Sequence, residues 1–515
     1  IFILLIILLN LINLNTATMY SRAKEVAIKQ MIGSSKKNII MQFCIENGLV
    51  VFISIVLAWI FFSLLLLPSI NNLVKGKFGE IETGMAKDYP VILLFTGIGL
   101  LFTVLAASLP AVKLASVKVT DTVKGKLISG NYKTSSMRNI FITVQFVFAI
   151  ILICATIILN SQIRYMKSSA LGFNKDNVAV INLDLAFRDP KSANARFESI
   201  LNDLKNNPHV KAVSTNSVVP TAYHQDFNNY YDPATNKEVS LRQAPADEGY
   251  SLTYQIPFIQ GKNFDDALAA SEKFSVLINR SAMNAFGWKN AVGKQIKSKG
   301  NPDTYTVIGV MEDFHYSDLQ NRIDPVVQWY GGKSSLQNSY LSVRTDAGYI
   351  MPVMQQLEKA FKTMPSRRSF SYELMSDKVD KQYTLFDGLL KLTNYVALLT
   401  IIIASMGMFG LIALFAKQRI KEIGIRKVLG ASMATIIKLL SKDFLMLVGL
   451  AIVIAAPVAW YIMNNWLKDF AYRINISWWM FLLAGLIAIF IALITVSFQA
   501  IKAATANPVK SLRTE

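Results

Sequence analysis

The stretch Arg419-Ile-Lys-Glu-Ile-Gly-Ile-Arg-Lys-Val-Leu-Gly430 decides the architecture, because the chain contains a second version of it. The counterpart is Arg22-Ala-Lys-Glu-Val-Ala-Ile-Lys-Gln-Met-Ile-Gly33, which lies 397 residues earlier. Each copy follows one long apolar run and precedes another. A basic helix that occurs twice between apolar runs predicts an internal duplication whose repeated element contacts a partner.

The apolar residues are concentrated in runs that suit a membrane. Of the 515 residues, 52% are hydrophobic, and several runs reach the roughly 20 residues that a helix needs to cross a bilayer. We predict seven spans, at about 1–14, 48–67, 90–112, 139–159, 388–416, 444–463 and 477–501. The chain starts at Ile1 inside an apolar run and without Met, so we expect it to be an N-terminally truncated piece of a longer polypeptide.

The positive charge indicates the orientation of the spans. The formal net charge is +19, and much of it lies in the loops 15–47, 113–138 and 417–443, next to apolar runs. Basic loops of this kind stay on the cytoplasmic side. We therefore expect these three loops and the C-terminus in the cytoplasm, and residues 160–387 outside. This placement favours membrane lipid as a contact of the basic residues, and we expect no nucleic-acid partner.

The large polar block between the fourth and fifth spans predicts an α+β domain. Three apolar runs are typical of strands, at 178–183, 274–278 and 305–310, and the segments 195–206 and 349–363 have the periodicity of amphipathic helices. The two cysteines, Cys44 and Cys154, lie in or beside apolar runs. Their positions indicate neither a disulfide framework nor a metal site.

Each copy of the repeat predicts a short basic helix, a break and a second helix that enters a span. Gly33 and Gly430 occupy the same point, where a left-handed glycine would end the first helix. Ser35 and Ser432 follow as candidate N-caps. One interpretation is a membrane-surface helix whose lysines touch lipid head groups. Two copies in matched positions, each with an internal glutamate, favour a defined docking element.

The ends of the repeated units match as well, since Ala111-Val-Lys-Leu-Ala115 has its counterpart in Ala500-Ile-Lys-Ala-Ala504. The fold class we predict is therefore a polytopic α-helical membrane protein with two three-span units, one extra span and one outer domain. The predicted division is 1–116 (first three-span unit, its first span truncated), 117–138 (cytoplasmic linker), 139–159 (single span), 160–387 (outer domain) and 388–515 (second three-span unit).

These motifs resemble a known family. The second copy with Ala431, and the closing Asn507-Pro-Val-Lys-Ser-Leu-Arg513, resemble the FtsX-type permease domain of MacB-like ABC transporters. The outer block resembles the MacB-type periplasmic core domain, through the stretches Leu171–Val178, Gly287–Gly293 and Val307–Tyr316. The first copy departs from the pattern, because Ala27 stands where the second copy has Gly424. The doubled form resembles the two-unit permeases common in Bacteroidota.

The resemblance implies a permease of the bacterial inner membrane that works with a separate cytoplasmic ATPase, whose two subunits bind the two docking helices. It implies that this chain is not an enzyme, binds no cofactor or metal, and leaves the use of ATP to the partner. As further candidate partners, the resemblance implies a periplasmic adaptor and an outer-membrane channel. The residues that the resemblance assigns to ATPase docking are Arg22, Lys24, Glu25, Ile28, Lys29, Gly33, Arg419, Lys421, Glu422, Ile423, Ile425, Arg426, Lys427 and Gly430.

Other motifs point away from catalysis. Gly332-Lys-Ser334 mimics the end of a P-loop, but Val327 stands where the loop needs its earlier glycine. Asp313-Phe-His-Tyr316 pairs an acid with a histidine, and we interpret it as a strand-end turn held by hydrogen bonds. Scarcity of charged residues in the spans argues against ion-coupled transport. Gly407 and Gly410 predict close helix packing, and Pro457 predicts a loosened or kinked helix.

The function expected from the resemblance is ATP-driven movement of the periplasmic domain, for efflux or extraction of a hydrophobic compound, peptide or lipoprotein. Two alternatives stay open. The same motion could switch a periplasmic partner such as a cell-wall hydrolase, or the chain could be a sensor permease for peptide antibiotics. The sequence does not identify the substrate.

Overall fold

The computed structural model describes residues 2–68, 85–115, 134–183, 190–220, 226–265, 274–298, 303–316, 320–330, 340–362, 369–418, 425–426 and 429–505. Its contacts divide the chain into two compact units. The membrane unit comprises Ile1–Leu159, Lys391–Asn464 and Ile476–Glu515, and the outer unit comprises Asn160–Leu390 and Asn465–Asn475.

The helices of the described residues are α1 (Phe2–Ser21), α2 (Ala23–Met31), α3 (Lys36–Phe61, continued by a π-helical turn Phe62–Leu66), α4 (Met85–Ala115), α5 (Thr134–Ser168), α6 (Pro190–Lys205), α7 (Gly249–Tyr254), α8 (Arg280–Phe286), α9 (Ile350–Lys362), α10 (Met375–Gln382), α11 (Thr384–Gln418), α12 (Met433–Leu467) and α13 (Trp478–Thr505).

The polytopic helical character is confirmed, and six of the seven predicted spans coincide with helices that are long and apolar enough to cross a bilayer. These six are the ones found in the described residues, and a shorter apolar helix, Ile3–Thr16, coincides with the first predicted run. The six segments are Lys36–Leu66, Tyr89–Ser108, Asn139–Ser168, Phe386–Ala413, Ser441–Leu467 and Trp478–Lys502. Some are longer than the apolar runs because their polar ends continue the helix. Pro457 lies inside α12, which continues past it.

Two groups of helices form the membrane unit. Helix α4 packs against both α1 and α3, which joins the first three predicted spans. Helices α5, α11, α12 and α13 share a second apolar core. On α12 and α13 this core contains alanines at a spacing of four residues, which places them on one face of each helix. They are Ala451, Ala455 and Ala459 on α12 and Ala484, Ala488 and Ala492 on α13. Small residues let the helix backbones approach closely.

The strands of the outer unit are β1 (Val178–Asn182), β2 (Val210–Asn216), β3 (Phe227–Tyr231), β4 (Glu238–Ala246), β5 (Phe258–Gly261), β6 (Ser275–Asn279), β7 (Gln295–Ser298), β8 (Thr304–Met311), β9 (Val326–Tyr330), β10 (Tyr340–Thr345) and β11 (Tyr372–Leu374). The α+β character and the three predicted strands are thereby confirmed, as are the two predicted helices, which appear as α6 and α9.

These strands form two sheets. The first has the order β11-β1-β10-β2 with antiparallel pairs, and the apolar faces of α6 and α9 pack on it. The second has the order β5-β8-β6-β9-β4-β3-β7. Strand β7 also pairs with β8, so that six of its strands close into a ring. Residues of α8 pack in the core of this second sheet.

The connection between α12 and α13 belongs to the outer unit, which the sequence did not indicate. Phe470 is buried in a core that also contains Tyr330 and Tyr383. The buried amide of Gln162 on α5 donates to the carbonyl of Tyr472 at 2.8 Å and accepts from the amide of Ile474 at 2.9 Å. The predicted division places this connection in the second permease unit, together with the spans on either side of it.

Candidate functional site

The first copy of the repeat ends in a Schellman motif, as its glycine predicted. Gly33 has φ +97°, and its amide donates to the carbonyl of Gln30 at 3.1 Å. The amide of Ser34 donates to the carbonyl of Lys29 at 2.9 Å. These two bonds satisfy carbonyls at the end of α2 that have no partner within the helix. The hydroxyl of Ser35 then accepts from the amide of Asn38 at 3.2 Å and caps α3.

The second copy has the same geometry wherever it is described. Gly430 has φ +87°, and the amide of Ala431 donates to the carbonyl of Arg426 at 2.9 Å. The hydroxyl of Ser432 accepts from the amide of Thr435 at 3.3 Å at the start of α12. Among the predicted docking residues, Arg419, Lys421, Glu422, Ile423 and Lys427 lie outside the described part of the chain.

The apolar side chains of the repeat divide into a buried pair and an exposed set. Val26 and Ala27 are buried, and Val26 packs against Ile39 and Phe43 of α3. The exposed set consists of Ile28 (47% exposed), Met31 (58%) and Ile32 (82%) in the first copy, and Ile425 (52%) and Leu429 (80%) in the second. Ile28 corresponds to Ile425 and Ile32 corresponds to Leu429. At these two pairs of positions the copies expose an apolar side chain to nearly the same extent, and we call the five residues the apolar tips.

The charged residues of the first copy hold α2 against α3. The guanidinium of Arg22 lies 2.7 Å from a carboxylate oxygen of Glu46, a hydrogen bond that raises the pKa of Arg22. The ammonium of Lys29 pairs with Glu25 at 2.9 Å and donates to the amide oxygen of Gln42 at 3.1 Å. Gln42 donates in turn to Glu46 at 2.8 Å. The structure describes Lys24 only as part of α2.

This network shows which contacts three of the predicted docking residues make within the chain. Arg22, Glu25 and Lys29 interact with their own chain, and they fix the orientation of the helix that carries the apolar tips. Glu46 and Gln42 were missed by sequence reasoning. The repeat contained an indication for Glu46, because Asp443 occupies the equivalent position in the second copy, as Arg419 does for Arg22.

The other candidate sites are structural where they are described. Asp313 accepts hydrogen bonds from the amide and the hydroxyl of Ser281, both at 2.8 Å, and the amide of His315 donates to the carbonyl of Leu171. The interpretation of this segment as a hydrogen-bonded turn is confirmed. The segment Gly332–Ser334 lies outside the described residues. Within the described ranges, no cluster of three or more His, Cys, Asp or Glu residues could hold a metal ion.

Comparison with known families gives two matches that together span most of the chain. Residues 1–119 and 394–508 match the FtsX-like permease C-terminal family, and residues 146–360 match the MacB-like periplasmic core domain. The two segments of the first match each contain one copy of the repeat. No curated protein matches the chain.

Solved structures that are similar to part of the chain include the following two. One is the extracellular domain of the noncanonic ABC-type transporter YknZ from Gram-positive bacteria, with 16% identity and a TM-score of 0.28, covering 38% of this chain and 98% of that one. The other is the periplasmic region of MacB from Actinobacillus actinomycetemcomitans, with 16% identity and a TM-score of 0.28, covering 41% of this chain and 94% of that one.

Proposed function

The chain belongs to the MacB/FtsX-type ABC transporter permeases, and from this membership we propose that it couples ATP hydrolysis in a separate cytoplasmic ATPase to movement of its outer domain. The proposed result is efflux or extraction of a hydrophobic compound, a peptide or a lipoprotein. Permeases of this family work with ABC ATPase partners. We propose that this chain uses two such subunits, one on each copy of the repeat.

The observation that carries the proposal is the matched exposure of the apolar tips. Isolated exposed apolar residues are common on proteins. Here the same exposed positions occur in two copies, each next to a left-handed glycine and a serine cap. The duplicated geometry supports one kind of contact made twice, with two equivalent subunits of a partner.

The ion pairs of the first copy support a pre-organised contact. A partner that binds a helix already fixed by Arg22–Glu46 and Lys29–Glu25 does not have to order that helix on binding. Each exposed ion pair contributes little to stability by itself, about 0.2–1 kcal/mol. Gln42, however, accepts a hydrogen bond from Lys29 and donates one to Glu46, so that both pairs belong to one network that links α2 to α3.

The chain connectivity supports transmission from this contact into the membrane. In the first copy α2 follows α1 directly, and the Gly33 turn leads into α3. Force applied to the apolar tips would therefore act on two neighbouring helices at once. In the proposed topology the repeats and the C-terminus are cytoplasmic and the outer unit is periplasmic, where an adaptor and an outer-membrane channel are candidate partners for efflux.

The docking contact is tested by placing a photo-crosslinking amino acid at Ile32 and, separately, at Leu429 in the full chain. We expect both positions to capture a protein that mass spectrometry identifies as an ABC ATPase. Val292, an exposed apolar residue of the outer unit, is the matched control and should not capture it. Substitution of Ile32 or Leu429 by Asp should reduce ATPase co-purification while membrane insertion persists.

Two results would contradict the docking proposal. If both positions crosslink only to lipid, the repeats are membrane-surface helices and the docking proposal fails. Capture of the ATPase at Val292 as efficiently as at Leu429 would show that the contact is not specific to the repeats.

A further inference from the structure

Helices α1 and α11 are equivalent members of the duplicated units, and their contact pairs an asparagine with a glycine at equivalent positions. With the displacement that relates Gly33 to Gly430, Asn10 corresponds to Gly407. In the structure these two equivalent positions touch, since a Cβ atom on Gly407 would overlap the side chain of Asn10. Three residues further on, a Cβ atom on Gly410 would overlap Leu14. The predicted close packing at both glycines is thus confirmed, and α1 is the helix that fills the space.

A hydrogen bond accompanies the close approach. The side-chain amide of Asn10 donates to the main-chain carbonyl of Ile403 at 3.2 Å. Ile403 precedes Gly407 by one helical turn, and a side chain at position 407 would occupy the space through which Asn10 reaches that carbonyl. The asparagine and the glycine are therefore needed together: one supplies the donor, and the other leaves the acceptor accessible.

A third helix makes the junction more polar. Gln145 of α5 is buried, and its side-chain nitrogen lies 3.3 Å from the position of a Cβ atom on Gly407. A polar side chain in an apolar bundle costs free energy when it lacks a partner, and an interhelical hydrogen bond offsets part of that cost. The junction is thus sensitive to which residues meet there.

The contact between repeat counterparts bears on how the units associate. Where an element packs on its own equivalent in a second copy of a chain, each residue near the symmetry axis meets itself. Here the result would be asparagine against asparagine, or glycine against glycine. An asparagine–asparagine pair needs more space than the observed contact has. A glycine–glycine pair leaves a gap and provides no side-chain donor for the main-chain carbonyl. An asparagine–glycine pair forms only where α1 meets α11, and covalent linkage of the two units gives the α11 of the same chain a higher effective concentration than that of a second copy.

We propose that Asn10 and Gly407, supported by Leu14 and Gly410, form a complementary pair that specifies association of the two permease units within one chain. The pair disfavours contact of α1 or α11 with the same helix of a second copy. Position 10 supplies the protruding side chain, and position 407 supplies the space for it. This assignment concerns assembly and does not depend on ATPase docking, so its test uses no ATPase.

The first experiment exchanges the two residues in the full chain and measures the thermal unfolding temperature in detergent. Asn10→Gly should lower it by removing the donor, and Gly407→Asn should lower it further through overlap with Asn10. The double exchange should recover most of the loss, because an asparagine at position 407 can reach the carbonyl of Ile6, the counterpart of Ile403. Gly449→Asn is the matched control, since no atom lies within 4 Å of a Cβ atom there.

Two results would overturn the assignment. One is a double variant no more stable than the worse single variant. The other is a loss in Gly407→Asn no larger than in the Gly449 control.

The second experiment remains informative if a variant folds poorly. Cysteines replace Leu14 and Gly410 in a chain whose Cys44 and Cys154 have been changed to serine, and two copies with tags of different size are co-expressed and oxidised. We expect a disulfide within one chain, seen as proteolytic fragments that stay joined until reduction. A disulfide between differently tagged copies, or no disulfide at all, contradicts the proposal.

Discussion

Replacing the two turn glycines by residues that resist a left-handed backbone should loosen both copies of the repeat. Gly33 and Gly430 have φ +97° and +87°, and a Cβ atom on either one would meet no atom within 4 Å. The cost of a side chain is therefore conformational and not steric. It amounts to roughly 1–2 kcal/mol for an ordinary residue in the left-handed region, and a β-branched residue is less tolerant still.

Hydrogen exchange can measure this cost locally. The amides of Ser34 and Ala431 donate the bonds that close the two turns. A loss of about 1–2 kcal/mol shifts the closed-to-open equilibrium by a factor of roughly 5–30. Exchange of these two amides should accelerate by that factor in Gly33→Val and Gly430→Val when the turns open locally. The same variants should retain less ATPase on purification.

Asparagine provides the matched control for both positions, since it tolerates the left-handed conformation better than other residues with a side chain. Gly33→Asn and Gly430→Asn should keep amide exchange close to that of the unmodified chain. If asparagine and valine accelerate exchange equally, or if valine has no effect, the backbone conformation of these glycines does not determine the turn.

Two further predictions concern the outer unit. Phe470→Ala should destabilise the outer unit by about 3–5 kcal/mol, since the ring is buried in the core. Limited proteolysis measures the loss, and Leu252→Ala at an exposed site is the control. Equal protease resistance of both variants would contradict the packing of Phe470. Burial raises the pKa of Asp247 to about 7, although hydrogen bonds from Thr215 and Ser214 act in the opposite direction. The contribution of Asp247 to stability is therefore fully present below the pKa of the unfolded state, near 4, and is lost as the pH rises through 7. Thermal unfolding measured from pH 5 to 8 should show this loss and lack it in Asp247→Asn, and identical profiles would refute the assignment.

The features that could be predicted from the sequence depend on local patterns. The spans follow from apolar length, and the outer strands follow from short β-branched runs. The left-handed glycines and serine caps follow from residues whose conformational preferences are strong. The duplication supports these predictions, since the same left-handed turn was predicted at both Gly33 and Gly430.

What the sequence did not reveal depends on contacts between distant segments. Glu46 and Gln42 of the next helix pair with Arg22 and Lys29, and no local pattern in the sequence indicates these contacts. Nothing local in the 465–475 connection indicates that Phe470 completes the core of another unit. The match of Asn10 with Gly407 is visible only when the repeat alignment and the contact are considered together.

The ring formed through the β7–β8 pairing also restricts how an extended peptide could bind the outer unit. Among the described residues, the six strands of the ring leave no unpaired edge for such a peptide to extend, and β5, which pairs with β8 outside the ring, is the outer strand of this sheet. Strand β2 is an outer strand of the other sheet, but there the carboxylate of Asp247 accepts from the main-chain amide of Thr215. A peptide that added itself as a further strand beside β2 would have to displace this buried carboxylate from its amide.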